Sequence, residues 1–86
     1  MTYEVILQKQ PEKYFLKVPK NIAERIRDRL VQLETDPFGS YTKMLKGELY
    51  GKWRTRVGSL RIVYTVDEGL KKVNVLLIAP RGDVYK

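Results

Sequence analysis

The stretch Lys52–Asp67, reading KWRTRVGSLRIVYTVD, leaves this chain few ways to fold. Lys52, Arg54 and Arg56 alternate with Trp53, Thr55 and Val57, the period-two pattern of a strand with one apolar and one exposed face. Gly58-Ser59 has the length of a tight hairpin loop. Leu60, Ile62, Tyr64 and Val66 then continue the apolar face on a second strand. With Gly58-Ser59 as the whole loop, Val57 pairs with Leu60 and Arg56 stands directly across from Arg61. Like charges opposed in this way destabilise a strand pair. A face bearing Lys52, Arg54, Arg56 and Arg61 therefore points to an anionic ligand, the alternative being edge-strand charges that guard against aggregation.

The rest of the chain supplies what such a hairpin packs against. Tyr3–Lys9 is rich in β-formers and predicts a first strand. Gln10-Pro11 breaks it, and Pro11–Lys17 is a short helix candidate, since proline suits a first helical turn. Val18-Pro19 punctuates again. Pro19–Glu34 is the clearest helix, with Ile22, Ile26, Leu30 and Leu33 on one stripe and Glu24, Arg25, Asp28, Arg29 and Gln32 reading as a solvated face. Asp36–Ser40 is a loop by its Pro, Gly and Ser content, and Tyr41–Leu45 reads as a short extension. After the hairpin, Glu68–Lys71 is a turn and Lys72–Ala79 an interior strand, apolar on both faces from Val75 onward. Pro80 ends it, and Arg81–Lys86 forms a tail. The expected fold is α+β: an N-terminal strand, two helices, then a three-stranded antiparallel meander, with the helices on one face of the sheet.

With 86 residues the chain has room for a single domain, here taken as 1–86. It has no cysteine and no histidine, which removes disulfides, thiolate metal sites and imidazole catalysis. No apolar run approaches a membrane span, the first ten residues do not read as a signal peptide, and the lack of cysteine fits a reducing cytoplasm. Residues 1–42 carry seven basic and six acidic side chains, whereas residues 43–86 carry ten and four. The excess charge is thus concentrated on the hairpin half, the pattern of a localised polyanion-binding face. Arg81 and Tyr85 in the tail follow the interior strand, and an aromatic there could stack on a base of single-stranded RNA.

The run W-R-T-R-V-G-S-L-R-I-V-Y, followed by an apolar strand and a terminal P-R-G-D-V-Y-K, resembles the RelE toxins of the RelE/ParE superfamily. The helix NIAERIRDRLVQLETDP resembles that family's second helix, and the similarity spans essentially the whole chain. It implies the cytoplasmic toxin of a type II toxin–antitoxin pair: a metal-independent endoribonuclease, without cofactor, that cleaves mRNA on the ribosome by attack of a ribose 2′-hydroxyl on the adjacent phosphate. By resemblance Arg54 and Arg56 match the catalytic basic strand positions, Arg61 the arginine before I-V-Y, and Arg81 and Tyr85 the terminal pair. Lys52 has no firm counterpart and is expected to contact RNA with Arg54, Arg56, Arg61 and Arg81. Family members often carry lysines where this chain has Arg54 and Arg56. Arginine effectively cannot release a proton, so the acid–base burden shifts onto Tyr85, whose phenol neighbouring arginines would acidify, or is left to the bound ribosome and substrate. The implied partners are a RelB-like antitoxin, the ribosome and mRNA, with operator DNA reached only through the antitoxin complex. Two other functions fit the same residues: a ParE-like inhibitor of DNA gyrase, and an RNA-binding module without catalysis.

Overall fold

The computed structural model describes residues 2–39, 41–47 and 51–80. In chain order these form β1 (Glu4–Leu7), α1 (Lys9–Lys17), α2 (Lys20–Thr35), β2 (Thr42–Met44), β3 (Trp53–Val57), β4 (Leu60–Asp67) and β5 (Lys72–Pro80). Helix α1 starts at Lys9, ahead of the expected Pro11, which lies in the first turn where a missing N–H costs nothing. Pro19 separates the helices, and the Val18 N–H closes α1 by donating to the Tyr14 carbonyl at 3.2 Å.

The strands form one sheet in the order β1-β5-β4-β3-β2. The fold is α+β with both helices over one face, as expected, but two strand details differ. Thr42–Met44 is a strand, antiparallel to β3, so the meander has four members rather than three. The first strand joins the far side of β5 in parallel, pairing Glu4 with Lys72 and Leu7 with Val75. Beyond β1 the edge of β5 is closed by a side chain. The Gln10 amide donates to the Ile78 carbonyl at 2.8 Å and accepts from its N–H at 2.9 Å, which adds one rung to the ladder from a helix.

The core lies between helices and sheet. Ile26 and Leu33 of α2 meet Ile62 and Tyr64 of β4 and Val73, Val75 and Ile78 of β5, all without solvent exposure. Strand β5 reads as apolar on both faces partly because its register shifts. Tyr64 pairs with Val75 and Val63 with Leu77, so Leu76 opposes no residue and the inward positions move from odd to even numbers.

Tyr64 anchors the loop after α2, donating its hydroxyl to the Pro37 carbonyl at 2.6 Å. Burial holds its phenol protonated well above the ordinary value, with smaller contributions from Tyr41 and Asp36. Tyr64→Phe is expected to lower unfolding free energy by about 1–3 kcal/mol, since it leaves a buried carbonyl unsatisfied. A raised folded-state value makes this stabilisation complete below pH ~10 and lost as pH rises further, by at most about 1.4 kcal/mol per pH unit. Denaturation midpoints measured between pH 8 and 11 should fall less steeply in Tyr64→Phe than in the wild type.

Candidate nucleic-acid interface

The hairpin puts its cations on the face that the helices leave open. Gly58 takes a φ of +59°, a conformation glycine adopts without strain, and the loop is Gly58-Ser59 alone. Val57 therefore pairs with Leu60 and Arg56 with Arg61. The two arginines share one face, as the alternation requires. Arg54 pairs with Val63 on one side and with Lys43 of β2 on the other. These pairings gather Lys43, Arg54, Arg56 and Arg61 into a block across three strands, beside an apolar strip of Val63, Leu77 and Ala79.

A groove of roughly 390 Å³ opens on this block, lined by Lys43, Met44, Leu45, Lys46, Arg54, Arg56 and Arg61. Smaller hollows adjoin it, one bounded by Tyr41, Thr42, Lys43, Arg54 and Arg56, another by the turn with Arg56 and Arg61. Arg56 is common to all three. Arg61 forms part of the floor and is only 8 % exposed, the one buried charged side chain among the described residues. Arg54 Nε is buried and has no hydrogen-bond partner among the described residues. No Asp or Glu is among the described residues lining the groove. A buried Arg61 and a half-buried Arg54 beside the exposed Arg56 suit a phosphodiester, whose oxygens accept guanidinium hydrogen bonds in pairs.

Of the residues singled out from sequence, Arg54, Arg56 and Arg61 meet in this groove. Lys52 is half-buried just ahead of β3, where its carbonyl accepts from the Leu45 N–H at 2.8 Å, and it is not among the described lining residues. Arg81 and Tyr85 lie outside the described residues. Sequence reasoning missed Lys43 and Lys46. The only signal for them was two lysines three residues apart in a run too short to show a period. Tyr41 borders the adjoining hollow and is poorly suited to act as a base: burial raises its phenol, Asp36 raises it further, and Arg29 opposes them. Its hydroxyl faces the carbonyls of Asp36 at 2.7 Å and Gln32 at 3.0 Å. Among the described residues no cluster of three or more His, Cys, Asp or Glu could hold a metal ion, and no helix is long and apolar enough to cross a membrane.

Fold and groove together define a small basic α+β domain with a cationic groove on the sheet face opposite the helices. No protein-family sequence model matches the chain, and no curated protein matches it by sequence. Solved structures do. The chain is similar to one from the archaeal RelE–RelB complex of Pyrococcus horikoshii OT3, at 30 % identity and a TM-score of 0.82 over 96 % of this chain and 99 % of that one. It is also similar to a chain of the RelBE2 toxin–antitoxin complex of Mycobacterium tuberculosis, at 24 % identity and a TM-score of 0.84 over 94 % and 100 %. A YoeB/ParE toxin from Agrobacterium tumefaciens shares the fold at 19 % identity and a TM-score of 0.78, over 91 % and 98 %. The chain belongs to the RelE-type toxins of the RelE/ParE toxin–antitoxin superfamily.

The groove predicts a definite salt response. Single-stranded RNA should bind with log Kobs falling linearly against log salt, by roughly 0.7 per neutralised phosphate. The double variant Arg54→Gln/Arg61→Gln should flatten that slope by about 1.4, if each arginine holds one phosphate. Fluorescence titrations of a short labelled RNA at several salt concentrations measure it directly.

Proposed function

We propose that this chain is the toxin of a type II toxin–antitoxin pair and acts as a ribosome-dependent endoribonuclease that cleaves mRNA and so halts translation. The observation that carries the reading is the nearly buried Arg61 set across from Arg56 in a groove whose described lining is free of carboxylates. In the reaction the ribose 2′-oxygen bonds to the neighbouring phosphorus and the bond from phosphorus to the 5′-oxygen breaks. A 2′,3′-cyclic phosphate and a 5′-hydroxyl result. The 2′-hydroxyl proton must go to a base, and the leaving 5′-oxygen must gain one.

Negative charge on the non-bridging phosphate oxygens rises on the way to the pentacoordinate transition state. Arg61 and Arg56, held by the sheet, would stabilise it as preorganised donors. Arg54 would hold the adjoining phosphate. Lys43 and Lys46 bring ammonium groups, which can give a proton to the leaving oxygen where guanidinium cannot. The base role falls to Tyr85, with Arg81 beside the scissile phosphate, on the strength of the family resemblance. Without histidine or a carboxylate among the described groove residues, free RNA should be cut slowly, and the ribosome would contribute positioning. The same family relationship supports a RelB-like antitoxin as partner and a cytoplasmic site of action.

The test is to express the chain, purify translating ribosomes and map message ends. New ends on ribosome-bound messages are expected. Arg61→Ala should cut about 10²-fold or more slowly at unchanged fold, the scale seen when a preorganised transition-state donor is removed. Purified gyrase is the contrasting arm. Inhibited supercoiling without new message ends would replace this reading with the ParE-like one. RNA binding with every phosphodiester intact would leave only a binding module.

A further inference from the structure

Helical spacing sets Arg29 on the side of α2 that faces the sheet, three residues after Ile26 and four before Leu33. It is not the solvated charge that its neighbours Glu24, Arg25 and Asp28 suggest. Arg29 Nη1 donates to Thr55 Oγ1 and, at 2.7 Å, to the Arg56 carbonyl. Its guanidinium carbon sits 4.9 Å from the centre of the Tyr41 ring. Thr55 is fully buried and passes its own hydroxyl proton to the Tyr41 carbonyl at 3.0 Å.

These bonds occupy the place of a missing rung. The β2–β3 ladder pairs Met44 with Trp53, Lys43 with Arg54 and Thr42 with Thr55, and its next pair would be Tyr41 with Arg56. There the Tyr41 carbonyl takes the Thr55 hydroxyl and the Arg56 carbonyl takes Arg29. Without the guanidinium, the strand end that carries Arg56 loses this bond and keeps only a three-residue partner strand on that side.

The geometry points to Arg29 as a positioning residue for the anion groove: it lies behind the sheet, touches no substrate, and sets where Arg54 and Arg56 stand relative to Lys43 and Arg61. The inference rests on the ribonuclease reading for its functional consequence. Its geometric part stands without it. A purely structural role predicts lower stability and an unaltered rate per folded molecule. A positioning role predicts lost rate at saturation, because misplacing a reacting group by about 1 Å can cost on the order of 10²-fold.

The experiment is single-turnover cleavage of a message on programmed ribosomes, with each variant first shown folded by circular dichroism at the assay temperature. Arg29→Met keeps an apolar stem beside Tyr41 and removes both bonds. Thr55→Val is isosteric and removes one arm, so it serves if Arg29→Met does not fold. The expected result is a saturating rate reduced about tenfold or more in Arg29→Met, with half-saturation little changed. Thr55→Val should lose less, Arg29→Lys should recover part of the rate, and Arg29→Met with Thr55→Val should be non-additive. A folded Arg29→Met (or, in its place, Thr55→Val) that cuts at the wild-type saturating rate overturns the inference. A loss confined to half-saturation overturns it too. A wild-type chain that cuts nothing sinks the ribonuclease reading instead, and NMR then decides the positioning. The Nε–Hε signals of Arg54 and Arg56 should move in Arg29→Met; signals that stay in place overturn it.

Discussion

The register of the β3–β4 hairpin is the constraint on which the rest depends. A loop of Gly58-Ser59, with Gly58 at positive φ, leaves one pairing in which Trp53, Thr55 and Val57 face inward with Leu60, Ile62 and Tyr64. A slip of β3 by one residue would turn Trp53, Thr55 and Val57 outward and drive Arg54 and Arg56 into the core. Burial of Tyr64 and Ile62 therefore enforces the proximity of Arg56 and Arg61, which are unfavourable neighbours on their own. Apolar packing on one face holds like charges together on the other. Helix α2 strengthens this arrangement at two points: Arg29 bonds the end of β3, and the Arg25 guanidinium lies against Gly58, where a Cβ would come within 3.1 Å of it.

Much of this was readable in the residues, for reasons that also explain what was not. The hairpin, its loop and the Arg56–Arg61 pairing follow from a local pattern: alternation, a turn of fixed length and a period of two. Helix α2 announces itself by spacing. The parallel pairing of β1 with β5 is different, because Glu4 and Lys72 lie at opposite ends of the chain and neither strand's composition names its neighbour. Strand β2 is three residues long, too short for any period, and with it Lys43 escaped notice. The offset at Leu76 was hidden inside a run that looked apolar everywhere. Arg29 is the instructive case. Its position on the stripe was available from helical spacing, but its charge and its acidic neighbours suggested water. The deciding partners, Thr55 and the Arg56 carbonyl, come from a strand far along the sequence.

The groove has a thermodynamic consequence for whatever occupies it. Among the described residues the groove gathers cations without a carboxylate, and like charges held side by side repel one another. An anion that enters relieves that repulsion and stabilises the fold by mass action. An RNA phosphate and a carboxylate from a protein partner would relieve the same repulsion, between the same side chains. They cannot both take that gain. An acidic partner segment seated over Arg54, Arg56 and Arg61 would therefore exclude RNA by occupying the site, with no distortion of the sheet needed. It would also make the protein more resistant to unfolding while bound. Inhibition by displacement of the strands is the opposite case, since it must first break the Arg29 bonds to Thr55 and Arg56 and would loosen the fold. For this chain the two modes differ in the sign of the stability change, because the charge repulsion and the bonds that withstand it meet at a single strand end.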